Sequence, residues 1–114
     1  MKEFQRKYEN KGVEEIVNFV LGENAKDNHN IIDNADPNDW WFHLSDYPSA
    51  HCIVEKDALD NADKIFACQL IYEKSKNAPS NKKSKYIYTQ IKNIKKTKNP
   101  GEVVILKKAE TFYF

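Results

Sequence analysis

Residues 39–55 read Asp39-Trp40-Trp41-Phe42-His43-Leu44-Ser45-Asp46-Tyr47-Pro48-Ser49-Ala50-His51-Cys52-Ile53-Val54-Glu55. Two runs of aromatic and β-branched character, Trp40 to Leu44 and Ala50 to Glu55, flank a loop of hairpin length that contains Pro48, so the stretch predicts a β-hairpin. Setting Leu44 against Ala50 puts Phe42 opposite Cys52 and Trp40 opposite Val54. Opposed residues share a face of the sheet, so one face is wholly apolar. The other carries Trp41, His43, His51 and Ile53, a mixture that a buried core does not need and a binding surface can use.

Working outward, Glu14 to Leu21 is rich in Ile16, Val17, Phe19 and Val20 and stops at Gly22, which suits a strand and a turn. Residues 1–12 are polar and mixed in charge and read as an extension or edge segment, with residues 13–114 as the domain proper. Asn24 to Ile32 suits a short helix, and Asn34 to Asp39, with Pro37, a turn. Asp60 to Lys76 has apolar residues at three/four spacing, from Ala62 through Ile65, Phe66 and Leu70, with Asp60 or Asn61 as cap. It is the expected principal helix, lying across the sheet. Lys85 to Ile91 reads as a strand with Tyr86, Tyr88 and Gln90 on one face, Lys92 to Lys98 as a basic turn-like stretch, and Glu102 to Leu106 with Glu110 to Phe114 as a closing hairpin. The sum is α+β: one domain, a mostly antiparallel sheet, one principal helix and a short second helix.

At 114 residues the chain buries roughly two-thirds of its unfolded surface, enough for one core without cross-links. Cys52 and Cys68 alone make neither a disulfide framework nor a four-ligand zinc site. With no apolar run long enough to span a bilayer and no apolar leader after Met1, a cytoplasmic home away from membranes is expected. The net charge of +1 hides a segregation. Residues 1–73 hold seven basic and fifteen acidic side chains, whereas Lys74 to Lys98 holds nine lysines and no acid. A near-neutral protein thus presents a cationic segment.

The motifs, in order, resemble the NFACT-R domain, the RNA-binding-type module of ribosome quality-control proteins. Gly22-Glu23-Asn24-Ala25-Lys26-Asp27-Asn28 is similar to the family's glycine and double-asparagine block, and Asp39-Trp40-Trp41-Phe42-His43 to its aspartate, tryptophan, aromatic and histidine signature. Pro48-Ser49-Ala50-His51-Cys52-Ile53 matches the following loop and strand; Ser75-Lys76, Tyr88-Thr89, Lys95-Lys96 and Pro100-Gly101-Glu102-Val103 continue the order. About four-fifths of the chain is covered. Glu23 stands where many members have a basic residue, and Ser49-Ala50 replaces the common glycine-serine. The N-terminal module and coiled coil of full-length members are not in this sequence, and the chain reads as a standalone form.

The resemblance implies contact with RNA through a family-motif surface of Asn24, Asn28, Asp39, Trp41, His43 and His51. Charge points the same way, since lysines neutralise phosphates without exacting geometry. Lys82, Lys83, Lys85, Lys92, Lys95, Lys96 and Lys98 are the expected phosphate contacts, with Tyr86, Tyr88 and Trp41 available to stack on bases. Arg6 is the only arginine, so bidentate reading of bases is not expected. The expected partner is nucleic acid, RNA before DNA and tRNA or ribosomal RNA within it, in a translation or quality-control context with ribosomal or translation factors as further partners.

Other chemistries are less well supported. His43 and His51 oppose each other, but zinc takes three or four ligands, and only Asp39, His29 or a cysteine is at hand to complete a set. Both cysteines fall on apolar faces, where a thiol is inert packing. No phosphate-binding glycine loop or carboxylate pair stands out, so neither catalysis nor a cofactor or metal is expected. The alternative is a protein-interaction module docking a translation-associated factor through the Trp/His face. Trp41 serves that face or packs under a neighbouring strand or helix.

Overall fold

The computed structural model describes residues 1–45, 47–75 and 83–114. Two strands, β1 (Lys2–Asn10) and β2 (Val13–Leu21), open the chain as a hairpin, paired from Lys2↔Leu21 to Asn10↔Val13. The two-residue turn has positive φ at both Lys11 (52°) and Gly12 (79°), the combination that matches the twist of the flanking strands. The segment expected as an extension or edge is therefore a full edge strand. Phe4, Arg6 and Tyr8 alternate inward along it and exposed residues outward.

Helix α1 (Ala25–Asp33) follows, capped by Asn24, whose side chain accepts from the backbone N–H of Asp27 at 2.9 Å. Strands β3 (Trp40–Leu44) and β4 (Cys52–Val54) pair in the expected register, Trp40↔Val54 and Phe42↔Cys52. Helix α2 (Asn61–Lys74) starts at a reciprocal capping box between Asp60 and Asp63. Strand β5 (Lys85–Gln90), a 3-10 turn (Ile91–Asn93), β6 (Ile94–Lys96), β7 (Val103–Ile105) and β8 (Glu110–Tyr113) complete the chain. The main sheet runs β1-β2-β4-β3-β5-β8, antiparallel throughout, and β6-β7 form a separate two-stranded sheet.

The hairpin expected between residues 102–106 and 110–114 does not form. β7 pairs with β6 and β8 with β5, because the two segments serve different cores. Ile94, Val103 and Ile105 pack with Trp41, Ile53 and α1, whereas Phe112 and Phe114 pack beneath the opposite face of the sheet. Lys92 to Lys98, read as a turn, likewise includes the 3-10 turn and β6.

The result is three layers. Helix α2 buries Ala67, Cys68, Leu70 and Ile71 against Phe19, Phe42, Cys52, Val54, Tyr86 and Tyr88 on the first face. On the second face, α1 and the β6-β7 ribbon cover Val20, Trp41 and Ile53 with Ile31, Ile32 and Ile94. The mixed face expected to be open is thus mostly a second core. Only its His43–His51 end reaches a cleft. Among the described residues no helix is long and apolar enough to cross a membrane.

Candidate nucleic-acid interface

Parts of five of the quoted motif segments, dispersed along the sequence, meet at one place, while Tyr88-Thr89 and Lys95-Lys96 lie outside it. A cleft of ≈ 640 Å³ is lined by Glu23, Asn24, Ala25 and Asn28 from the start of α1, by His43, and by Pro48, Ser49, Ala50 and His51 from the β3–β4 connection. Lys74 and Ser75 from the end of α2, and Pro100, Gly101 and Glu102 from the β6–β7 turn, close it. Five segments, separated by up to some eighty residues, supply one surface.

Close backbone approach assembles it. Gly22 donates its N–H to the carbonyl of His51 at 2.9 Å, and a Cβ on Gly22 would lie 2.0 Å from Oδ1 of Asn28. Only glycine leaves room for that amide. Oδ1 of Asn28 in turn accepts the backbone N–H of His51 at 3.1 Å. The β6–β7 turn is held by His29, whose Nε2–H donates to the carbonyl of Glu102 at 2.9 Å. Gly101, at φ 80°, packs on Ala25.

Behind the cleft the aromatic rings form one cluster. The indole Nε1–H of Trp41 donates to Nδ1 of His51 at 3.1 Å. The His43 ring stacks parallel to Trp41 with centroids 5.7 Å apart and meets His51 edge-on at 4.8 Å. Burial pushes the pKa of His43 down to about 4 and that of His51 to about 3, the latter aided by repulsion from His43 and His29. Both imidazoles are neutral at physiological pH. Accepting from Trp41 at Nδ1 leaves the proton of His51 on Nε2.

Several expected site residues sit elsewhere. Trp41 is 1% exposed and supports the histidines from behind rather than offering a face to bases. With His51 also buried, the Trp/His surface is no open docking platform either. Tyr86 and Tyr88 are 0% and 6% exposed, on the core face under α2. Tyr88 stacks on Phe42 at 5.0 Å and is covered by the Lys64 ammonium at 5.2 Å from its centroid. Neither tyrosine can stack on a nucleic acid, because even-numbered positions of β5 face the larger core. Asp39 lies buried at the opposite end of β3 from His43, where its carboxylate accepts the backbone N–H of Asp36 at 3.0 Å. It shapes the turn into β3.

The lysines divide into two groups. Lys83 and Lys85 precede and begin β5, while Lys92, Lys95, Lys96 and Lys98 follow it, so the length of β5 lies between the two groups. Lys96 is paired with Asp33 on α1, and Lys92 donates to Oδ1 of Asn38 at 3.2 Å. Lys95 and Lys98 are exposed, and Lys98 stands two residues before the cleft-lining Pro100. Lys76 and Lys82 lie outside the described residues. Sequence reading did not single out Ser49, Ser75, Lys74 or Pro100 as site residues, though all but Lys74 stand within the quoted motifs.

Cys52 and Cys68 are buried and free, and burial raises both thiols, Cys68 to about 12. That is the inert packing expected. Among the described residues no group of three or more His, Cys, Asp or Glu side chains is placed to hold a metal ion.

Residues 6–107 match the model of the NFACT protein RNA-binding domain. The chain belongs to that family. Among solved structures, the C-terminal of the fibronectin/fibrinogen-binding protein from Streptococcus suis has a similar fold, with a TM-score of 0.76 at 23% identity. The likeness covers 85% of this NFACT-R chain and 40% of that one, so the present chain spans less than half of the solved polypeptide. Comparison with curated proteins finds no match. Membership supports a nucleic-acid-binding module, and the cleft is where the family's motif segments converge.

Proposed function

We propose that the domain binds RNA, tRNA or ribosomal RNA in a translation or ribosome quality-control setting, with the motif-lined cleft as the point of specific contact and exposed lysines holding the backbone. The observation that carries this reading is the convergence of residues 23–25, 28, 43, 48–51, 74–75 and 100–102 on one cleft, in a chain of an RNA-binding domain family. Buried motif residues such as Trp41 and Cys52 are explained by packing. Cleft-lining Asn28 and Ser49 also hold the backbone of His51 and Leu44, whereas the Ser75 hydroxyl has no partner among the described residues.

Lys95 and Lys98 extend from the cleft's β6–β7 wall, and Lys74 lies in its lining. Such cations attract phosphates without reading sequence. Lys83 and Lys85, before and at the start of β5, would meet a second stretch of backbone if the ligand is longer than a few nucleotides.

Fluorescence anisotropy with labelled tRNA, single-stranded RNA and duplex DNA across a salt series tests the reading. Wild-type protein is expected to bind RNA with an affinity that falls linearly in log salt. A Lys92/Lys95/Lys96/Lys98→Glu variant is expected to lose about 0.7 from that slope for each phosphate contact removed from a single strand. Absence of salt-dependent affinity for any RNA overturns it.

A further inference from the structure

The floor of the cleft carries two side-chain donors, on largely buried residues, that the protein does not use. His51 is 1% exposed and Asn28 5%. Trp41 occupies Nδ1 of His51, which leaves Nε2–H as a donor, and the His51 backbone N–H occupies Oδ1 of Asn28, which leaves the amide NH₂. Among the described residues no acceptor meets either group, and both residues line the cleft. The Ser75 hydroxyl, also in the lining, is buried without a partner. The Asn28 NH₂ and the His51 Nε2–H stay open to the cleft, so a ligand with two adjacent acceptors can replace solvent at both.

The rim narrows its chemistry. Among the described residues of the lining, Glu23 and Glu102 stand with Lys74 as the cation. The Glu102 carboxylate accepts from Nδ2 of Asn99 at 3.2 Å, and Glu23 accepts from the amino terminus at 2.8 Å. A backbone phosphate would face the Glu102 carboxylate over a floor of neutral imidazole and amide. A nucleobase carries no charge. The cleft's ≈ 640 Å³ falls in the usual range for small-ligand sites, roughly 300–1,000 Å³, and the rings of His43, Pro48 and Pro100 offer flat walls.

Of the four bases, guanine fits both layers. Its O6 and N7 are adjacent acceptors, suited to the Asn28 amide and the His51 Nε2–H, and its N1–H and N2–H₂ are adjacent donors, suited to a carboxylate. Adenine puts an N6–H₂ donor where the floor already supplies donors. We propose that the cleft takes one unstacked guanine of a single-stranded RNA segment, with Asn28 and His51 reading its O6/N7 edge and a rim carboxylate its N1/N2 edge. Reading a splayed base by its edges is the usual way proteins recognise single-stranded RNA. This rests on the RNA-binding reading above.

The test uses wild-type protein and labelled adenylate heptamers whose central nucleotide is guanosine, 7-deazaguanosine, inosine or adenosine, beside tRNA as the reference ligand. Guanosine is expected to bind tightest. Loss of N7 in 7-deazaguanosine is expected to weaken binding about tenfold, as is loss of the 2-amino group in inosine, the scale of one misread base edge. Asn28→Asp, which keeps the acceptor for His51 and removes the NH₂, is expected to abolish the preference while its urea midpoint reports that it is folded. Equal affinity for all four heptamers, with salt-dependent tRNA binding intact, overturns the guanine site and leaves the RNA-binding reading standing. Failure of tRNA and heptamers alike overturns both.

Discussion

The indole N–H of Trp41 and Nδ1 of His51 are joined by a buried 3.1 Å hydrogen bond. That bond turns a core tryptophan into the residue that sets the protonation pattern of the cleft, because it commits Nδ1 and sends the ring proton to Nε2.

Trp41→Phe keeps most of the packing and removes the donor. His51 then keeps a buried Nδ1 without its partner, which costs about 1–3 kcal/mol. The urea midpoint is expected to fall accordingly. Nitrogen-15 spectra are expected to show His51 as the Nε2–H form in wild type and as a mixture of tautomers in the variant.

Stability is expected to fall as the pH drops from about 6.5. Both His43 (about 4) and His51 (about 3) have folded values below the ordinary 6.5. Below 6.5 the unfolded chain takes up protons that the folded chain refuses until its own lower values are reached. Asp39 and Glu55 are raised by burial and act with the opposite sign. The histidine share of the slope is the part that a histidine substitution removes. Chemical denaturation at half-unit steps should show it, and His51→Gln should reduce it.

At Gly22 an added methyl group must displace the Asn28 amide or shift the backbone, given the 2.0 Å clash with Oδ1. Gly22→Ala is expected to cost about 1–3 kcal/mol for the overpacking, and more if the His51 N–H loses its acceptor. Gly12→Ala meets no neighbour within 4 Å and carries only the left-handed backbone penalty, about 1–2 kcal/mol. Comparing the two by urea denaturation, with chemical shifts at His51, separates the clash from backbone strain: only Gly22→Ala should move the His51 signals.

Asp63, with no exposed surface, accepts from Arg6 of β1 at 2.7 Å and from Lys56 at 2.8 Å. Removing the buried carboxylate takes the shared acceptor from two half-buried cations and opens the helix cap, at about 1–3 kcal/mol. Asp63→Ala should show this loss in equilibrium unfolding. It should also speed amide exchange along Lys2–Asn10, since the edge strand loses its tie to α2.

Much of this architecture was legible residue by residue. The register of Trp40 to Leu44 against Cys52 to Val54 followed from period-two alternation, and the principal helix followed from its spacing and from a cap at Asp60 or Asn61, because these signals act between near neighbours in the chain. The first hairpin was not evident: residues 1–12 read as an extension or edge segment, because their inward positions Phe4, Arg6 and Tyr8 are spaced among charged residues. The partner of residues 103–105 was not legible. Pairing with β6 rather than β8 depends on which of two cores needs Ile105, and that is decided by the whole assembly. The same holds for Tyr86, Tyr88 and Trp41: strand alternation assigns each to a face but does not say what lies over it. Amino-acid order alone established the family's motifs, the charge segregation and an α+β sheet with a principal helix. Only the tertiary structure brought Asn28, His51, Ser75 and Gly101 to one cleft and left two unpartnered donors facing it, because contacts between segments some seventy residues apart are set by packing and not by any local pattern.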